Sequence, residues 1–412
     1  VTKAIDDYQA ARSALAPALE HELYYSCRSP ESIRDALHPE TMFNVWGQQQ
    51  DELAQAVLPV LDANKISGKD TIAAIQQLAR DGEPSCAAFI ERVSVVPDWI
   101  DFSLVEEGQK LVQRRPIALV LGYFVGTLTS SYYFGSAAQT MAATGRFEAD
   151  AKRRVMESTG FVHDIFALPA NSLLPGGKGW ETVLRVRLLH ARVGKHFSKV
   201  LGDSRPPEWG LPLNDFEQVM SRVLHVVGNI EAAERLGARL SDREREAFFG
   251  FWRYISFLLA APDELQTLTY AEEKKLWDIG LFASADSACP WATPMRGATE
   301  IALTQLIPGV PVQLPRALVW AGLEPKLNHD YPFRPSKVWL FGLKAVLALG
   351  MCWSNYFQPR TSFLDPLRMR FGRRLLHAAT QAGYDRQTRK KLNAVTSNRG
   401  QIHQYDMKIS TT

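Results

Sequence analysis

The chain has 412 residues, 46% of them hydrophobic and 22% charged, with a net charge of +3. That length allows a large buried core, and the scattered basic residues leave no electrostatic footprint for nucleic acid. The four cysteines, Cys27, Cys86, Cys289 and Cys352, form no CxxC, which excludes the usual zinc spacing and the CxxCH attachment of a c-type haem.

The chain starts with polar residues, Val1 to Asp7, and shows no apolar signal core there. Ile5, Tyr8, Ala11, Leu15 and Leu19 recur at helical spacing, so residues 1–25 read as an amphipathic helix. Ser29 to Ser32 resembles a helix start. Further helices are predicted from Gln50 to Leu61, Thr71 to Arg80 and Cys86 to Val93. Val96 to Asp101 is an extended link, because a residue before proline disfavours helix.

From Pro116 to Gly145 no residue is charged. The length permits a membrane span. Thr127, Thr129, Ser130, Ser131, Ser136, Gln139 and Thr140 favour instead a helix over 117–143, buried on all sides at the centre of a helical domain.

A Gly/Pro turn over 175–179 then opens a strongly periodic helix near Trp180. On it His190 has Arg187 one turn before and Gly194 one turn after. A histidine on an apolar helix face is ordinarily a packed core residue. Gly194 would let a flat group approach the backbone, and Arg187 would offer a cation to a carboxylate. Histidine, gap and arginine on one face suit a haem, with imidazole for iron and guanidinium for a propionate. Without CxxCH that haem would be haem b. His225, flanked by Leu224 and Val226, is the rival iron ligand, whereas His196 is rotated to the surface. His163 and Asp164 lack the second histidine of a metal dyad. ExxH pairs, GxSxG and the P-loop pattern are absent.

Pro308, Pro311 and Pro315 break the region beyond residue 300, and Val310 to Leu314 is the best strand pattern in the chain. Val338 to Phe357 reads as a buried or membrane-surface helix. Asp365 to Ala382 reads as a packed basic helix with one wet face. No internal repeat or long linker divides the chain. The reading is all-α, one large helical domain, with 1–94 packed on a core of 95–275 and 276–412 completing it.

Several phrases occur in the order of one family: Thr144 to Phe147, Arg153 to Phe161, Val186 to Val193, Trp209 to Asp215, and Leu240 to Glu246 leading to Trp252. Over roughly 95–275 the chain resembles the latex clearing proteins, or rubber oxygenases, and the related ER-bound haem oxygenases of fungal meroterpenoid pathways. The resemblance implies a globin-like haem-containing core with His190 on iron and Arg154 and Thr159 facing the pocket. It implies dioxygen as co-substrate, cleavage of a carbon–carbon double bond in an apolar isoprenoid, and a secreted protein after leader removal. A peripheral membrane contact is also expected. The chain departs from the rubber-cleaving pattern in two places: Ser158 stands beside Thr159 where those enzymes have lysine, and Gln139 stands near the position of their catalytic glutamate. Two other readings stay open at this point, a haem sensor, carrier or electron-transfer protein, and a cofactor-free membrane-associated helical binding protein.

Overall fold

Every regular element in the computed structural model is helical, and no β-strand occurs among the described residues, 44–143, 151–284, 289–306, 309–352, 355 and 362–381. The helices predicted over 1–25 and from Ser29, and the phrase Thr144 to Phe147, lie outside them. In chain order the helices are α1 (Glu52–Ala63), α2 (Thr71–Arg80), α3 (Pro84–Ser94), α4 (Phe102–Arg114), α5 (Pro116–Gly122), α6 (Gly135–Ala143) and α7 (Ala151–Ala167). They continue with α8 (Lys178–Leu201), α9 (Asp215–Val223), α10 (Asn229–Arg235), α11 (Asp242–Leu258), α12 (Tyr270–Ser284) and α13 (Ala292–Leu306). The last are α14 (Gln313–Gly322), α15 (Pro325–Asn328), α16 (Lys337–Cys352) and α17 (Asp365–Gln381).

Local signals explain most boundaries. Asp51 caps α1 by accepting from the Ala54 amide at 3.1 Å. Ser241 and Glu244 form a reciprocal capping box at α11. The strand pattern from Val310 is not a strand: residues 313–322 are helical, and Pro315 falls in the first turn, where its missing N–H costs nothing.

The uncharged stretch is buried as expected, but it is not one helix. It divides into α5, a π-helical turn at Tyr123–Thr129, a 3-10 turn at Ser130–Tyr133 and α6. A second π turn, Leu224–Gly228, packs directly against the first. The backbones cross at Gly126 and Gly228, so closely that a Cβ on Gly126 would overlap the Gly228 carbonyl. The Thr127 hydroxyl donates to the Leu224 carbonyl at 3.0 Å and ties the two turns together. Such π turns are wide, rare and concentrated at functional sites, which makes this crossing the centre of interest.

Around it, α4 and α11 form the most extensive helix pair, and α8 packs on α1, α7 and α11. One core runs through the described residues from α1 to α17. Buried ion pairs brace its far side. Arg222 of α9 meets Glu273 of α12 with both side chains fully buried, and Gln266 accepts from the same guanidinium at 2.7 Å. Removing one member leaves a charge stranded in the core. Arg222→Met is expected to cost roughly 3–5 kcal/mol in urea unfolding. A loss below about 1 kcal/mol would show that Glu273 is relieved some other way.

Candidate functional site

His190 lies in the middle of α8, a helix about 36 Å long at the usual rise. Burial pushes its pKa down to about 4 against the opposing pull of the Asp51 carboxylate, so the ring is neutral near pH 7. Its Nδ1 is buried and has no hydrogen-bond partner. That is an unusual state for a core imidazole, since buried polar atoms are nearly always satisfied.

Arg187, one turn earlier, is also buried, and two of its nitrogens are committed. Nε and Nη2 donate to the two oxygens of Asp51 at 2.6 and 2.8 Å. The guanidinium lies over the Phe89 ring, 5.0 Å from its centroid. Only Nη1 is left, buried and without a partner. Asp51 therefore both caps α1 and anchors α8. Gly194 faces protein, not open space: a Cβ there would sit 3.0 Å from Gln50 Nε2 and 3.1 Å from the Pro212 carbonyl. Its lack of a side chain admits the Gln50–Pro212 contact, and Gly194 also lines the cavity shared with Arg187 and His190.

The cavity beside this face is small and of mixed polarity. It lies between Gln50, Asp51, Gln55, Arg187, His190, Gly194 and Gln218, and its free volume of about 10 Å³ is room for about one water. Asp215, at the start of α9, feels the same surroundings. Burial, reinforced by Asp51, raises its carboxyl pKa to about 7.

His225 sits in the second π turn. Its Nδ1 lies 2.6 Å from the Ser221 carbonyl. A carbonyl only accepts, so Nδ1 carries the proton and Nε2 keeps its lone pair. Burial depresses this pKa too, to about 4, and His190 is near enough to lower it further. The His225 ring packs against Trp252, centroids 4.3 Å apart, and against Tyr123 at 5.8 Å.

Tyr123 and Trp252 also line a second cavity, with a free volume of about 20 Å³, walled by Val112, Leu119, Phe124, Val162, Phe166 and Phe248. It is almost wholly apolar, with His163 and Asn229 as its polar exceptions. His163 bonds Asp164 at 3.1 Å and pairs with His377 of α17, as local packing would have it. Burial raises the pKa of the Tyr123 hydroxyl to about 12, and its hydrogen bond with Ser158 of α7 pulls the other way. Through that contact the segment carrying Arg154 and Thr159 meets the cavity. Helix α7 is described, but the side chains of Arg154 and Thr159 lie outside the described residues.

Gln139 is placed elsewhere. Its amide donates to the Ser204 carbonyl at 3.2 Å and accepts from Arg205 at 3.3 Å. Arg205 is in turn paired with buried Glu217 at 2.8 Å. Gln139 serves that polar hub and lines neither cavity. Sequence reasoning missed the Asp51 partner of Arg187, the raised Asp215 and the Tyr123–His225–Trp252 stack. The first lies 136 residues upstream of Arg187, and no local pattern announces it.

Among the described residues no cluster of three or more His, Cys, Asp or Glu side chains is placed to hold a metal ion. A macrocycle that brings its own donor atoms needs only one or two protein ligands. The half-buried, neutral His190, with its Nδ1 unpartnered, and the spare Nη1 of Arg187 fit such a group, and the small cavity beside them does not itself contain it.

These features define an all-α chain with two neutral imidazoles, one of them packed on the wall of an apolar cavity. Residues 110–406 match the family described as ER-bound oxygenase mpaB/B'/rubber oxygenase, catalytic domain, and the chain belongs to that family. The matched span runs well past residue 275. Among solved structures the chain is similar to latex clearing protein in its closed state, with a TM-score of 0.56 and 14% identity over 79% of this chain and 90% of that one. At that identity the likeness establishes the fold. No curated protein matches.

Proposed function

We propose that the protein is a haem b-dependent oxygenase that uses dioxygen to cleave a carbon–carbon double bond in an apolar isoprenoid substrate, with His190 as iron ligand. The observation that carries this is the neutral His190, whose buried Nδ1 lacks any partner, in a chain of this oxygenase family. Haem, when bound, supplies the oxygen chemistry. The protein's contribution is positional. Neutral His190 offers a lone pair without first losing a proton. Arg187, held by Asp51, keeps Nη1 as a donor for a propionate. The apolar walls between Tyr123 and Phe248 would open to take an unsaturated chain, which they would hold by apolar contact and shield from water.

The test is the visible absorption spectrum of the purified protein beside His190→Ala and His225→Ala. Wild type is expected to show a haem Soret band that His190→Ala abolishes or strongly shifts and His225→Ala leaves in place. A wild-type protein that stays colourless after reconstitution with haem sinks the reading.

One observation favours a second reading, a haem sensor or electron-transfer protein. His225 is neutral, has a free Nε2 and lies close to His190. Two imidazoles on one iron would leave no position for oxygen, and the spectrum would then change with either histidine variant.

A further inference from the structure

Helix α16 is hydrophobic nearly all round, yet most of it is bare. Leu340, Leu343, Leu347 and Met351 face the protein. Turned outward are Val338 (79% exposed), Phe341 (77%), Val346 (67%) and Leu349 (76%). On the approach to α17 and along it, Phe363, Leu367 and Phe371 form a stripe at four-residue spacing, each more than 60% exposed. Both helices touch α5: Met351 clusters with Ala118, and α17 packs on the same helix, whose Ile117 is exposed. Exposed apolar rows of this kind on two helices that both touch α5 mark a docking face.

Its charge says what docks there. Residues 331–364 contain no aspartate or glutamate but carry Arg334, Lys337, Lys344 and Arg360. Arg334, Lys337 and Lys344 are exposed, as are Arg370 and Arg374 of α17. A second copy of the chain on this face would bring cations against cations in a symmetric contact. An anionic lipid surface meets both features at once, with Phe, Val and Leu entering the acyl boundary and Lys and Arg at the headgroups. Among the described residues no helix is long and apolar enough to cross a membrane, so α16 would lie in the interface plane.

We propose that α16 and the Phe363–Phe371 stripe form a peripheral docking face for anionic membranes. The proposal is independent of the haem reading and needs no cofactor to test. Full-length chain would be floated with phosphatidylcholine vesicles, with and without about 30% phosphatidylserine. Flotation is expected with the anionic vesicles, weakening as salt rises. The double variant Phe341→Glu/Leu349→Glu, both positions being exposed, is expected to keep its circular dichroism and bind at least about tenfold less. No binding to anionic vesicles, or equal binding by the double variant, overturns the proposal. So does equal binding to neutral vesicles. A wild-type dimer in sizing chromatography that the variant dissolves would assign the face to a second copy instead.

Discussion

Gly126→Ala is expected to be among the most damaging single-methyl changes in this protein. The added Cβ would overlap the backbone carbonyl of Gly228 and press on Ala232, and neither backbone has a flexible end to yield. Overpacked cores lose about 1–3 kcal/mol when side chains can shift, and a backbone-to-backbone crossing lies at or beyond the top of that range. We expect a loss of roughly 3–5 kcal/mol by urea unfolding. The two helices would also be forced apart at the π turns that carry His225 and Tyr123, so the change should disturb the site as well as the fold. Gly194→Ala is the matching control. Its Cβ would meet the movable amide of Gln50 at 3.0 Å, and a loss of about 1 kcal/mol or less is expected. Equal losses at the two positions would show that the helix crossing is softer than its geometry implies.

The second large effect is a pH dependence with opposing parts. His190 and His225 have folded pKa values of about 4, below the ordinary histidine value of 6.5. Their stabilisation is complete above 6.5 and is lost as pH falls toward 4, because the unfolded chain then binds the protons. Between about pH 7.5 and about pH 4.5 each costs roughly 2–3 kcal/mol. Asp215 runs the other way. Its carboxyl is raised from 3.8 to about 7 in the folded chain, so the folded state binds the extra proton between those values. Acidification over the same range returns roughly 3 kcal/mol. Unfolding free energies at the two pH values separate these contributions. Asp215→Asn should steepen the acid loss of stability. His225→Asn, which keeps a donor for the Ser221 carbonyl, should flatten it. Parallel profiles for wild type and both variants would show that these buried groups do not titrate as their burial demands.

Much of the architecture was legible in the sequence because it is local. The 3.6-residue periodicity of Val183, Val186, Arg187 and His190 announces α8, and capping residues mark where helices such as α1 and α11 begin. The charge-free run announces burial, and the motif order announces the family. Even the peculiarity of α16 was visible as an apolar helix with scattered lysines. His190 could be singled out, since a histidine and an arginine one turn apart share a face by helix geometry alone.

What only the tertiary structure decided is which groups meet across the chain. Arg187 had to have an anion, but the identity of that anion depended on α1 returning to α8 and bringing Asp51 with it. Gln139 lay near a plausible catalytic spacing, yet the fold delivers it to Arg205. The π turns arise where Gly126 and Gly228 let two backbones touch, and neither glycine reveals its partner in sequence. The raised carboxyl of Asp215 and the depressed imidazoles share one cause. Desolvation depends on the whole packed surround, which no window of neighbouring residues contains.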